Sequence, residues 1–233
     1  MSFVGDNYLK VLDNVKRLCR ESSRDESECT LVAVSKTKPV DMIKEAYEAG
    51  CRDFGENYVQ ELVDKIPQLP EDIRWHMIGH LQTNKVKYIV GKTYLIHGVD
   101  SVKLAKEIGK QSVKIGTVSD ILLEVNIGNE ESKFGFRPDE LPDIVPVISQ
   151  IDGIRIRGLM TSAPICSDPE ENRVFFRNMK QLSIDIKKQK TDNVYMDFLS
   201  MGMSGDYESA VGEGSTFVRV GTAIFGERDY SSR

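Results

Sequence analysis

Lys36 stands where a short apolar run, TLVAVSK, gives out. An ammonium is costly to bury without a partner, and in a dry, positively biased site its pKa falls until the amine can attack an aldehyde. The same position also suits a solvated lysine at a strand end. Lys38 is the rival amine, although Pro39 directly after it suits the start of a helix. Near the end of the chain, SMGMSGDYESAV offers Gly202 and Gly205 for close backbone approach, with Ser204 and Asp206 at a helix start. VRVGTAIFG adds Gly221 and Thr222 as a second group of donors. Alone, each segment reads as readily as a turn with a helix cap; together, at the ends of consecutive strands, they suit one shared phosphate. Arg219, a permanent charge in an otherwise apolar strand, needs either a water-filled cavity such as a barrel mouth or a partner, for example a salt bridge to an acid on a neighbouring strand. Asn57, in FGENYVQE, either bonds a ligand or caps the next helix.

The elements that would position these groups alternate. Besides 30–36, strand candidates fall at 52–55, 75–79, 94–99, 120–126, 154–160, 197–201 and 217–225. Amphipathic stretches such as VDMIKEAYEAG and SVKLAKEIGKQSVK lie between them. Eight β/α units predict a (β/α)8 barrel of the α/β class, with a doubly wound sheet as the alternative. Tyr8, Leu12, Val15 and Leu18 mark one face of an added N-terminal helix, with Asp6 as its expected cap. In a barrel, the strand ends and the residues just past them form the site; Lys36 closes the first run, Asn57 and Gly205 follow the second and seventh, and Gly221 lies in the eighth.

Composition narrows the function. The chain has 233 residues, 40% of them hydrophobic, which suits a single domain over 1–233. A net charge of −5 with no basic run argues against nucleic acid and anionic lipid as partners. The four cysteines form no CxxC pair, and MSFVGDNYLK lacks the pattern of a leader; both point to free thiols and a cytoplasmic location. The three histidines, His76, His80 and His97, have no metal-ligand spacing, so no metal site is expected.

VAVSKTKP, FGENYVQE, WHMIGHLQTNK, GLMTS, SMGMSGD and VRVGTAIFG, in that order, resemble the pyridoxal phosphate homeostasis protein family, relatives of the alanine racemase barrel. The resemblance implies that Lys36 forms a Schiff base with pyridoxal 5′-phosphate (PLP) and that Ser204, Gly205, Gly221 and Thr222 surround its phosphate. It also implies that Arg219 lies near the pyridine nitrogen, that Asn57 lies close to the cofactor, and that Met201 and Met203 line the pocket. Lys133, in SKFGF, lies in the loop expected after strand five and receives no role, and nothing is carried over to TSAPICSD. Racemases of this kind have a further β domain and a catalytic tyrosine, which this sequence does not show. The resemblance therefore implies a carrier that stores, buffers or delivers PLP to apoenzymes or amino acids, with a monomer favoured. A PLP enzyme using Tyr58 or Tyr207 as a second acid/base, and a Schiff-base aldolase acting on a sugar phosphate, remain alternatives.

Overall fold

A computed structural model describes residues 2–164, 166 and 168–227. Ile165 and Ser167 of TSAPICSD, together with Met1 and 228–233 of the expected domain, lie outside the described residues.

Runs of apolar residues with both faces covered need a layer on each side, and here the layers are helices outside and side chains inside. The strands are β1 Thr30–Val34, β2 Asp53–Glu56, β3 Arg74–Met77, β4 Leu95–Val99, β5 Ser119–Glu124, β6 Ile154–Met160, β7 Val194–Met203 and β8 Phe217–Val220. They pair in parallel, in sequence order, and close on themselves. Closure is made by β1 against β8, with Val32 opposite Arg219 and Ala33 opposite Val220. A doubly wound sheet would leave two open edges; this sheet leaves none.

The helices are α1 Phe3–Glu21, α2 Val40–Glu48, α3 Val59–Lys65, α4 Val102–Lys114, α5 Leu141–Ser149, α6 Arg173–Lys188, α7 Tyr207–Gly212 and α8 Thr222–Phe225. The crossover from β3 to β4 is a 3-10 helix, Thr83–Tyr88. The main core lies between helices and sheet and includes Val15, Ile43, Leu62, Phe176 and Met179. A second, smaller cluster fills the barrel with Val32, Leu95, Leu122, Met160 and Phe217, one side chain from each of five strands. Among the described residues no helix is long and apolar enough to cross a membrane, and the four cysteines are free thiols.

The expected helix before the barrel is α1, but its cap is Ser2, whose hydroxyl accepts from Gly5 N at 3.2 Å. Asp6 lies in the first turn, where it faces the positive end of the helix dipole. Most strand expectations hold apart from shifted ends; strands seven and eight differ more. Strand eight, expected over 217–225, stops at Val220: the N–H groups of Ile224 and Phe225 both bond back to Gly221 O at 2.9 Å, making one helical turn. Ile224 and Phe225 are buried, and α1 holds this turn through Asn7 Nδ2 on Ile224 O at 3.2 Å. The apolar run is thus a helix facing α1. Strand seven begins earlier than expected, at Val194, which pairs with Ile156 before the β6–β7 register slips between Ile156 and Gly158.

Candidate functional site at the barrel mouth

All strands run parallel, so their C-terminal ends meet at one face. Lys36 lies in the turn just past β1, half-buried; Ser35 before it extends the ladder, its N–H donating to Gly55 O at 3.0 Å. Thr37 has φ 63° and donates its N–H to Glu61 Oε2 at 2.7 Å. Lys38, the rival amine, is committed elsewhere. Its Nζ donates to the carbonyls of Phe225, Gly226 and Glu227 at 3.2, 3.0 and 2.7 Å, a cationic cap on the end of α8.

The two glycine-bearing segments meet. Gly221 N donates to Ser204 Oγ at 3.1 Å, joining the exits of β7 and β8. Asp206 does not cap α7 with its side chain; it folds back to accept from Met203 N at 2.6 Å and from Asn172 Nδ2 at 2.9 Å, which shapes the loop from within. Gly202 makes that loop possible: its φ is 93°, and a Cβ there would lie 2.5 Å from Ala210 Cβ. The direction a Gly205 Cβ would take is open, with no heavy atom within 4 Å. Gly221 lies against the end of β1, its Cβ position 3.2 Å from Val34 O, so this loop pair adjoins the turn that carries Lys36. Thr222 is exposed at the start of α8, Met201 is fully buried, and Met203 is 38% exposed at the rim.

On the far side of Lys36, Asn57 follows β2 and is half-buried. It does not cap α3, whose N-cap is Tyr58 without a side-chain bond. Asn57 packs by its backbone against Gly79, where a Cβ would fall 2.5 Å from Asn57 O. A groove of about 460 Å³ opens beside it, lined by Asn57, Tyr58, His80, Gln82 and Lys85 among others. The SKFGF loop crosses the mouth. Phe134 stacks on His80 at 3.9 Å between ring centroids, while Lys133 Nζ donates to Ser162 O and Ala163 O at 3.2 and 3.0 Å and pairs with Glu130 at 2.6 Å.

Arg219 is only 5% exposed. The salt-bridge alternative is not met: among the described residues no carboxylate lies within ion-pair distance of it. Its guanidinium instead donates to Ser200 Oγ at 2.6 Å and Thr161 O at 2.8 Å. Burial pulls its pKa down to about 10, against the more distant attraction of Glu124 and Asp206, which still leaves it charged at neutral pH. Glu124, at the end of β5, is pushed up to about 7 by burial, with Asp100 adding and Arg219 opposing. Ser200, Thr161, Glu124, His76 and His97 were not singled out as site residues from sequence. His76 and His97 entered the sequence reading only as histidines without metal-ligand spacing.

A raised carboxyl predicts a pH dependence of stability. Below the unfolded-state value, Glu124 is protonated in both states and contributes nothing. As pH rises towards 7 the unfolded chain ionises first, so stability falls, and the full cost is present above 7. Glu124→Gln should therefore flatten the decline in unfolding free energy between about pH 5 and pH 8, a change on the order of 2 kcal/mol in urea titrations. An unchanged slope would mean that Glu124 ionises normally.

Comparison with known proteins places this arrangement. The family described as alanine racemase, N-terminal domain, matches residues 9–229. The pyridoxal phosphate homeostasis protein of Aquifex aeolicus (strain VF5) is 42% identical over 222 residues, covering 95% of this chain and 96% of that protein. The chain belongs to the pyridoxal phosphate homeostasis protein family. Its Escherichia coli (strain K12) member is 38% identical, with each chain covered completely. Among solved structures, PipY of Synechococcus elongatus with PLP bound is 36% identical with a TM-score of 0.78, covering 91% of this chain and all of PipY. An alanine racemase of Clostridium difficile 630, 15% identical with a TM-score of 0.74, covers 97% of this chain and 58% of the racemase, which shows a shared fold.

Proposed function

We propose that this chain is a single PLP-binding domain that holds the coenzyme through Lys36 and serves intracellular vitamin B6 homeostasis by storing, buffering or delivering it. The observation that carries this reading is the Gly221 N to Ser204 Oγ bond, which joins two loops into one cradle beside the turn of Lys36. The residues present fit PLP. The open direction at Gly205 leaves room for phosphate oxygens, and Arg219 is a buried cation without an adjacent carboxylate among the described residues. When bound, PLP supplies an aldehyde that condenses reversibly with an amine and a ring that withdraws electrons.

Each residue then has a task. Lys36 provides the amine, aided by its half-buried turn. Ser204 Oγ already accepts a hydrogen bond from Gly221 N–H, so its own O–H is left to donate to phosphate, together with N–H groups at Gly205 and Thr222. Arg219 keeps protons off a ring nitrogen beside it by charge repulsion. Asn57 flanks the amine on the β2 side; Met201 packs in the core between helices and sheet, so the methionine at the pocket rim is Met203. Holding is favoured over turnover by the place of Tyr207, whose hydroxyl accepts from Asn14 Nδ2 of α1 at 2.7 Å, committing it away from a second acid/base role. Tyr58 is 55% exposed at the rim. We place the protein in the cytoplasm as a monomer, with PLP-dependent apoenzymes or free amino acids as recipients.

Titrating purified protein with PLP should give a visible absorption band, and borohydride should fix the coenzyme's mass on the Lys36 peptide. Gly205→Val fills the open space without a steric neighbour, so its unfolding free energy should change by no more than about 0.5 kcal/mol while the band is lost. A wild-type protein that gives no band would end this reading and favour the sugar-phosphate aldolase.

A further inference from the structure

A line of side chains crosses the barrel interior beneath the mouth. Arg219 Nη1 lies 2.6 Å from Ser200 Oγ, Ser200 Oγ 2.8 Å from His97 Nδ1, and His97 Nε2 2.9 Å from His76 Nδ1. His76 Nε2 lies 3.0 Å from Asp53 Oδ1. Asp53 opens β2 at the opposite end of the barrel, where Arg74 Nε and Nη2 hold its carboxylate at 2.8 and 2.5 Å. His76, His97 and Ser200 are fully buried, and Phe217 packs against both imidazoles.

The protons along this line are determined by its two ends. Burial keeps both histidines neutral, His97 well below the usual range with His76 and Arg219 adding to the effect, so each ring carries one N–H. Burial opposes the ionisation of Asp53, but its bonds to Arg74 and His76 prevail and hold it below the usual carboxylate range. The carboxylate only accepts, so the His76 proton sits on Nε2. His76 Nδ1 is then bare and accepts from His97 Nε2–H, and His97 Nδ1 accepts from the Ser200 hydroxyl. Starting from Arg219, which only donates, gives the same answer.

We propose that Asp53, His76, His97 and Ser200 form one polarised relay that positions Arg219 at the mouth, with Asp53, held by Arg74, as the acceptor that sets its direction and His97 as the central positioning residue. A single direction of donation joins the buried cation to the buried anion through neutral groups. A carboxylate beside Arg219 would hold it too, but would cancel its charge at the mouth; the relay leaves that charge directed there. The relay itself is a property of the unliganded protein. Its effect on a ligand rests on the PLP reading above.

Nitrogen-15 spectra of imidazole-labelled apoprotein should show His76 and His97 both protonated at Nε2 and bare at Nδ1; an Nδ1–H signal from either ring overturns the relay, whatever the protein binds. His97→Leu breaks the line at its centre. It should weaken PLP binding about ten- to a hundred-fold, the size of a lost hydrogen bond to a charged group, and move the absorption maximum of the bound coenzyme. His97→Gln, which has both a donor and an acceptor, should restore part of each. Asp53→Asn, at the far end of the barrel, should move the same maximum in the same direction as His97→Leu. Variants that bind PLP with the wild-type maximum and affinity overturn the positioning role. A wild-type protein with no PLP band but the expected tautomers sinks the functional reading and leaves the relay standing.

Discussion

Lys36→Ala protein incubated with PLP and treated with borohydride is expected to carry no covalent adduct, and its visible band should be absent. The loops that join Ser204 to Gly221 remain, as does Arg219, so the variant should still take up PLP weakly and release it completely on dialysis. Its stability should change by no more than about 1 kcal/mol, because the residue is half-buried in a turn outside the core. Two controls give the result its meaning. Lys38→Ala should keep the adduct, since Lys38 Nζ is occupied by three carbonyls at the end of α8. Lys133→Ala should also keep it, because Lys133 is tied to Ser162, Ala163 and Glu130. An adduct that persists on Lys36→Ala protein and maps to either lysine would remove Lys36 from its assigned place.

The contrast between these lysines shows how far the sequence reaches. A strand buried on both faces reads as a continuous apolar run, so β1 and the position of Lys36 at its exit were legible. The same rule misled at 217–225, where Ile224 and Phe225 are apolar because a helical turn buries them beneath α1. Four residues are too few to show a helical period. The loops after β7 and β8 were legible as glycine segments, but their hydrogen bond was not, since Ser204 and Gly221 are joined only once the barrel places their strands side by side. For Arg219 the sequence posed the right question, partner or cavity, and the partner it foresaw was an acid. The actual partners, Ser200 and Thr161, are neutral and come from β7 and the exit of β6. The relay was illegible for the same reason. His97 and Ser200 lie 103 residues apart, and no local spacing predicts that contact.

Lys65→Met should cost about 3–5 kcal/mol of unfolding free energy, the usual consequence of removing one member of a buried ion pair. Lys65 Nζ donates to Glu56 Oε1 at 2.7 Å, Glu61 Oε2 at 2.9 Å and Ser35 O at 2.9 Å, using all three of its protons. Glu56 is fully buried, and its Oε2 has no partner among the described residues. Burial already raises the Glu56 pKa, with Lys65 pulling the other way, so without that cation the folded value must climb further. The sign follows. Below the unfolded-state pKa the carboxyl is protonated in both states; as pH rises past it only the unfolded chain ionises readily, and stability falls until the folded value is passed. The loss in Lys65→Met should therefore be small in mild acid and full at neutral pH, deepening by about 1.4 kcal/mol for each further unit of pKa. Adding Glu56→Gln removes the charge that Lys65 was balancing and should recover at least half of the loss, a coupling that a double-mutant cycle would read directly. Glu56 also accepts from Ser35 Oγ at 2.6 Å, so the cluster grips the residue before Lys36 by its hydroxyl and its carbonyl. A double variant with restored stability but weaker PLP binding would show that this pair also aims the turn that carries Lys36. Equal binding would confine it to stability.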